Sequence, residues 1–193
     1  MSKDLTTSLR PALVMTGLFA LTLGLAYPLA ITGIAQVAMP HQANGSIVEQ
    51  GGKAIGSALI GQNFAGDRYF HPRPSAAGKG YDPTASSGSN YGPTSQALAD
   101  RVKGDVSKLS VPGKTLPPDL VTASASGLDP DLSPEAALYQ VDRVAAARHL
   151  PPAEVDALVR RSIDAPVLPF LGDRHVNVLA LNQALDRMPP AGK

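Results

Sequence analysis

The sequence predicts an α/β protein in two parts: one N-terminal transmembrane helix, then a single mixed α/β extracytoplasmic domain. Three observations carry this. Residues 11–39 hold 29 consecutive positions without a charge, and a membrane-crossing helix needs about 20. Some 150 residues follow, the size of one domain. Within them a Gly- and Pro-rich first half without room for long helices gives way, after Pro93, to apolar residues at helical spacing. The resulting segments are 1–10, a cytoplasmic N-terminus; 11–39, the transmembrane helix; and 40–193, the outer domain.

Composition removes several function classes. The chain has no cysteine, which excludes disulfide scaffolds, thiolate metal sites and thiol nucleophiles. Its net charge of +1 argues against nucleic acid as a partner, because such proteins carry a strongly basic face. With 18 glycines and 18 prolines in 193 residues, the chain sits above average usage yet below the level of disordered sequences. A folded domain with many loops is expected.

The apolar segment runs too long, without a polar face, for a soluble core helix. It also exceeds a signal-peptide core, and its end, Gln36-Val37-Ala38-Met39-Pro40, lacks a small-x-small cleavage pattern. A retained anchor in the lipid bilayer is the reading. Lys3 and Arg10 precede it and no Lys or Arg follows until Lys53, so the positive-inside rule puts the N-terminus in the cytoplasm and the main domain outside. Thr16, Ala20 and Gly24 recur every four residues and form a small-residue stripe suited to packing against another helix. Pro28 removes a backbone donor and is expected to kink the span.

Beyond the anchor, short strands are expected at 46–49 and 58–64. Five of the seven aromatic residues past position 40 lie between Phe64 and Tyr91, and that stretch reads as loops pinned by aromatic anchors. A helix is expected over 94–108, with Leu98, Val102, Val106 and Leu109 as its apolar stripe. A strand is expected at 120–124. Ser133 as N-cap and Pro134 at the first helical position open a second helix reaching Arg148. A third spans 153–161 with Val155, Leu158 and Val159 inward, and a fourth 177–188 with Val178, Leu181 and Leu185 aligned.

Chemistry is sparse. Gly113-Lys114-Thr115 ends like a P-loop, but Lys108 stands where the first glycine belongs and Pro117-Pro118 block the helix that would hold a phosphate. It reads as a turn. No hydrolase elbow, Ser-x-x-Lys pair or zinc helix motif occurs, and His41, His71, His149 and His175 are too scattered to predict a metal site. Arg73, fixed between two prolines, can offer its fork to a carboxylate or phosphate. Asp129 and Asp131 flank Pro130, where a hard cation or a helix start would each account for them. The hydroxyl- and amide-rich run from Ser86 to Pro93, with Ser89 and Asn90, is either an anion-holding loop or an ordinary polar turn.

The blocks Gly56-Ser57-x-Leu59-Ile60-Gly61-Gln62-x-Phe64, Tyr69-Phe70-x-x-Arg73-Pro74-Ser75-Ala76, Ser87-Gly88-Ser89-Asn90-x-Gly92-Pro93 and Val121-Thr122-Ala123-Ser124-x-Ser126-Gly127-Leu128-Asp129-Pro130 resemble the KdpC family, a subunit of the bacterial potassium-transporting Kdp ATPase. The resemblance continues through Tyr139-Gln140-Val141 and Arg143-Val144-Ala145 to Val176-Asn177-Val178-Leu179.

It implies an accessory, non-catalytic subunit in the bacterial inner membrane. Its partners would be a channel-like potassium-binding subunit, a P-type ATPase subunit and a small membrane peptide, with potassium as the transported ion. The family is described as a catalytic chaperone that raises the nucleotide affinity of the ATPase subunit, so ATP is a ligand by that description alone. The topology read from the charges leaves only Met1 to Arg10 on the side of cellular ATP. Gln62, Arg73, Ser75, Ser89, Asn90, Ser124, Ser126 and Asp129 are the candidate ligand or partner contacts, with no metal ligand and no catalytic residue among them. The alternatives are a membrane-anchored hydrolase and a small-ligand-binding module.

Overall fold

A computed structural model describes residues 2–168 and 170–189 of the chain. Met1 and residues 190–193, the extremes of the segments 1–10 and 40–193 expected above, lie outside the described residues. The chain forms two compact units, residues 1–47 and 48–193.

The first unit is a long helix: α1 (Ser2–Leu21), a π-helical turn (Thr22–Ala26) and α2 (Tyr27–Ala38). Its part from Thr7 to Ala38 is long and apolar enough to cross a membrane, with mean hydropathy 1.8 and none of it buried in the protein. Leu13, Leu18, Phe19, Leu21, Leu25 and Leu29 all stand exposed, which is costly in water and favourable in lipid.

The effect of Pro28 appears one turn early. Its ring would clash with the carbonyl of Gly24, four residues back, and it has no N–H to donate. The turn is instead widened, and the Tyr27 N–H donates to the Thr22 carbonyl five residues back. Gly24 lies inside this turn, so the four-residue spacing from Ala20 is not that of a regular α-helix there. The helix stops at Met39, whose φ of −148° is non-helical. Pro40 opens α3 (Pro40–Ala43), and the amides of Gln36 and Asn44 exchange two hydrogen bonds of 3.1 and 3.2 Å across the corner.

Strands β1 (Ile47–Gln50) and β2 (Lys53–Ser57) form a hairpin. Its turn is Gly51-Gly52, with φ of 59° and 74°, the left-handed pair that a tight two-residue connection requires. The strand expected at 58–64 is absent: those residues form turns and loop. The Gly-Gly signal ends the first strand and starts the second at Lys53, five residues earlier than the apolar run suggests. The strand expected at 120–124 is also absent. Pro117-Pro118 turn the chain into a single 3-10 turn (Pro118–Leu120), and Ser124 alone makes a bridge, to Ser75.

The second half is helical. α4 (Gln96–Leu109) forms where expected but has no buried residue, and Val106 and Leu109 of its apolar stripe remain 38 % and 37 % exposed. Strand β3 (Asp131–Leu132) leads into α5 (Pro134–Tyr139), capped by Ser133, whose Oγ accepts from the Ala136 N–H at 3.2 Å. The single helix expected from Ser133 to Arg148 is interrupted at Gln140, and α6 (Val141–Arg148) follows it. α7 (Pro152–Arg161) buries Val155, Leu158 and Val159. β4 (Val176–Asn177) pairs antiparallel with β3, an association with no local signal, and runs into α8 (Val178–Asp186), capped by Asn177. The core gathers Leu132, Val144, Val155, Val159, Val176 and Leu181 from these elements, closed by Phe70 from the loop region. The α7–β4 connection is the opposite case, with Val167 and Phe170 standing 99 % and 83 % exposed.

Candidate functional site

Two buried amides set the position of the Gly- and Pro-rich loops. Asn182 stands on the apolar face of α8 beside Leu181 and Leu185, 1 % exposed. Its Oδ1 accepts from the Phe70 N–H at 2.9 Å and its Nδ2 donates to the Phe70 carbonyl at 3.0 Å. Gln140, at the α5–α6 break, does the same for His71, at 2.8 and 3.0 Å. Each amide replaces the strand partner that an extended backbone lacks, so no buried backbone group at Phe70 or His71 is left unpaired.

Two arginines hold the residues just before. Arg143 donates to the carbonyls of Asp67 (2.6 Å) and Tyr69 (3.0 Å) and to Gln140 Oε1 (2.7 Å). Arg148 donates to the Arg68 carbonyl (2.6 Å), pairs with Asp186 at 2.6 Å and stacks over the Tyr69 ring at 4.8 Å. Phe64, Tyr69, Phe70 and Tyr81 anchor this stretch as expected, whereas Tyr91 stands 47 % exposed. The helical amides and arginines that complete the anchoring were not anticipated, and the signal that could have shown them is a polar residue on an apolar helical face.

The loop held this way delivers Arg73 to Asp129 at 3.6 Å. Tyr81 Oη lies 3.2 Å from both the Arg73 and the Asp129 carbonyls, so its one proton is shared between them. Burial and the neighbouring Asp129 charge raise its pKa well above the ordinary phenol range. Ser75 Oγ donates to the Ser126 carbonyl at 2.7 Å, and the backbones of Ala76 and Ser124 join at 2.8 Å. Ser124 Oγ and Ser126 Oγ each accept from the N–H two residues on, both at 3.1 Å. Gln62 Nε2 donates to the Ile55 carbonyl at 2.5 Å, and Gly61 N–H to Leu128 O at 2.9 Å. Gly127 fits only as glycine, because a Cβ there would overlap the Asp82 and Ala85 carbonyls.

The structure thus brings five of the eight candidate residues, Arg73, Ser75, Ser124, Ser126 and Asp129, into one polar knot and uses their atoms to close it, whereas the Gln62 side chain is spent on the Ile55 carbonyl of β2. Ser89 and Asn90 stand apart on an exposed loop, Asn90 in the left-handed region at φ 53°. Asp129 serves Arg73 and accepts from the Asp131 N–H at 3.3 Å, while Asp131, its carboxyl pKa raised chiefly by burial, belongs to β3. Among the described residues no three His, Cys, Asp or Glu side chains converge on a point where a metal could sit. Gly113 takes a turn conformation at φ 79°, and Lys114 pairs with Asp142 at 2.5 Å.

His71 Nε2–H donates to the Gly66 carbonyl at 3.0 Å, and its pKa is lowered, first by burial and then by Arg143. The unfolded chain therefore binds this proton more readily than the folded one, and the stability present above pH 6.5 is lost as the pH falls below it. We expect the thermal midpoint of the second unit to drop as buffer is taken from pH 7 to pH 5.5. His71→Gln should flatten that slope; an unchanged slope would locate the titration elsewhere.

A model of the KdpC family, described as K+-transporting ATPase, c chain, matches residues 9–187. The chain belongs to the KdpC family. It is 58 % identical over 186 residues to the Potassium-transporting ATPase KdpC subunit of Caulobacter vibrioides, covering 94 % of each chain. It is 54 % identical to the subunit of the same name from Rhodopseudomonas palustris, over 94 % of this chain and 97 % of that one. The corresponding Methylobacterium nodulans subunit is also 54 % identical, over 96 % and 98 %. The polar knot, the two amide clamps and the apolar N-terminal helix from Leu9 onward fall inside the KdpC match.

Proposed function

We propose that this chain is the accessory, non-catalytic subunit of an ATP-driven potassium uptake complex of the bacterial inner membrane. It is anchored by its N-terminal helix with the main domain outside. Its partners are the channel-like potassium-binding subunit, the P-type ATPase subunit and the small membrane peptide. The observation that supports this reading best is the polar knot around Arg73 and Asp129, whose side chains are turned on one another. Such a knot stiffens a surface rather than arming it. A stiff exported surface biases a channel subunit only through contacts that differ between that subunit's states. In this reading the chaperone-like effect on nucleotide affinity reaches the ATPase subunit through the complex, with no ATP held by the outer domain. Co-purification of the full chain with both large subunits from detergent tests it, and a chain recovered alone from cells expressing all of them sinks it.

Orientation has its own test. The chain has no cysteine, so Lys103→Cys, exposed on α4, should react with a membrane-impermeant maleimide in intact cells. Ser46 is a poor position for this because it is only 5 % exposed. Labelling confined to permeabilised cells would reverse the topology.

The anchor stripe is the third element. A Cβ at Gly24 meets nothing within 4 Å in the chain itself, so Gly24→Leu tests only what lies outside it. We expect this change to weaken retention in the complex and Leu23→Ile to leave it unchanged. Equal losses from both would remove the directional interface.

A further inference from the structure

A groove of about 1060 Å³ opens on the outer domain between the loop from His71 to Tyr81, the end of α4 with the turn after it, and the α5–α6 break. It lies at the upper end of the range for small-molecule sites, yet its chemistry is not that of a compact ligand. Five cationic side chains line it, Arg73, Lys79, Lys108, Lys114 and Arg143, against one carboxylate, Asp142. Arg73, Lys114 and Arg143 are engaged with Asp129, Asp142 and the loop carbonyls. Lys79 and Lys108 have no ion pair among the described residues. They come from different elements, so the charge is spread around the groove rather than focused on one point.

The walls between the charges are apolar. Leu109 and Val111 stand 37 % and 45 % exposed at its edge. Tyr139 fixes that edge, its Oη donating to the Leu109 carbonyl at 2.7 Å and accepting from the Val111 N–H at 2.9 Å. α4 approaches with its C-terminal end, where Lys108 offsets the exposed carbonyls. The α6 N-terminus at the break carries Asp142 in its first turn, and that carboxylate in the groove disfavours a phosphate there.

Resting on the accessory-subunit reading above, we propose that this groove docks an extended acidic segment of a partner subunit, its carboxylates on Lys79 and Lys108 and an apolar side chain on Leu109 and Val111. Complementary charge sets partner choice and salt sensitivity, and the apolar anchor carries the affinity.

The test uses the full chain in its assembled complex, with a benzophenone amino acid at position 109. The crosslinked peptide should come from a partner subunit and hold an excess of Asp and Glu. The double variant Lys79→Glu, Lys108→Glu, at exposed positions outside the core, should abolish that crosslink and lower by roughly twofold the salt concentration that releases the subunit. A crosslink to lipid or nucleotide, a neutral or basic peptide, no crosslink at all, or an unchanged salt profile in the double variant would each overturn the proposal while the co-purifying chain leaves the subunit reading intact. A wild-type chain that fails to co-purify overturns both.

Discussion

Asn182→Leu should cost about 3 kcal/mol and lower the melting temperature of the unit formed by residues 48–193 by roughly 10 °C. The substitution keeps the number and branching of the side chain's heavy atoms and adds apolar surface to an apolar helix face, so a count of buried carbon favours it. The backbone decides otherwise. The Phe70 N–H and carbonyl lose both partners, and Phe70, fully buried in the core, cannot turn them to water without leaving it. Each buried unsatisfied group costs on the order of 1–3 kcal/mol, more than the gain from one added aliphatic contact. Asn63→Ala, on the exposed part of the same loop, should shift stability by less than about 0.5 kcal/mol. Calorimetry on the two variants checks the contrast, and equal shifts would mean the clamp contributes nothing.

Arg73→Glu should be the most damaging change for function. It sets a second carboxylate where the guanidinium now lies 3.6 Å from Asp129, both side chains more than two-thirds buried. Screening by the remaining solvent leaves a cost of about 2–3 kcal/mol. The knot then opens at its centre: Tyr81 bridges the carbonyls of these two residues, and Asp129 orders the entry to β3. We expect potassium-stimulated hydrolysis by the complex to fall at least tenfold, by loss of the subunit or of its stiffness. The reciprocal pair Arg73→Asp with Asp129→Arg should recover part of it. If the single change leaves hydrolysis intact, the knot is not the part of the domain that matters.

These two residues mark the limit of what the sequence makes legible. α7 and α8 are readable because their signals are local: Val155, Leu158 and Val159, or Val178, Leu181 and Leu185, recur at the helical period beside their caps. The long apolar helix is readable from length alone, though the π-turn is not, because Pro28 announces a defect without saying on which side it is absorbed. The loops resist reading because nothing local fixes them. Phe70 is held by a residue 112 positions away and Arg73 by one on the far side of α4. The resemblance to KdpC found the residues of the knot, while their contacts with one another, in place of contacts with a ligand, came only from the structure. Gln140 shows the same limit, since its amide ends one helix in order to hold a loop.

Under the proposed function this chain acts as a structural partner and carries out no chemistry. The most direct measurement is potassium-stimulated ATP hydrolysis by the detergent-purified complex with and without this subunit, beside hydrolysis and nucleotide binding by the full chain alone. Stimulated hydrolysis is expected only when the subunit is present, with neither hydrolysis nor ATP binding by the chain in isolation. ATP binding by the isolated chain at physiological concentration, lost together with pump activity in the same variants, would contradict it.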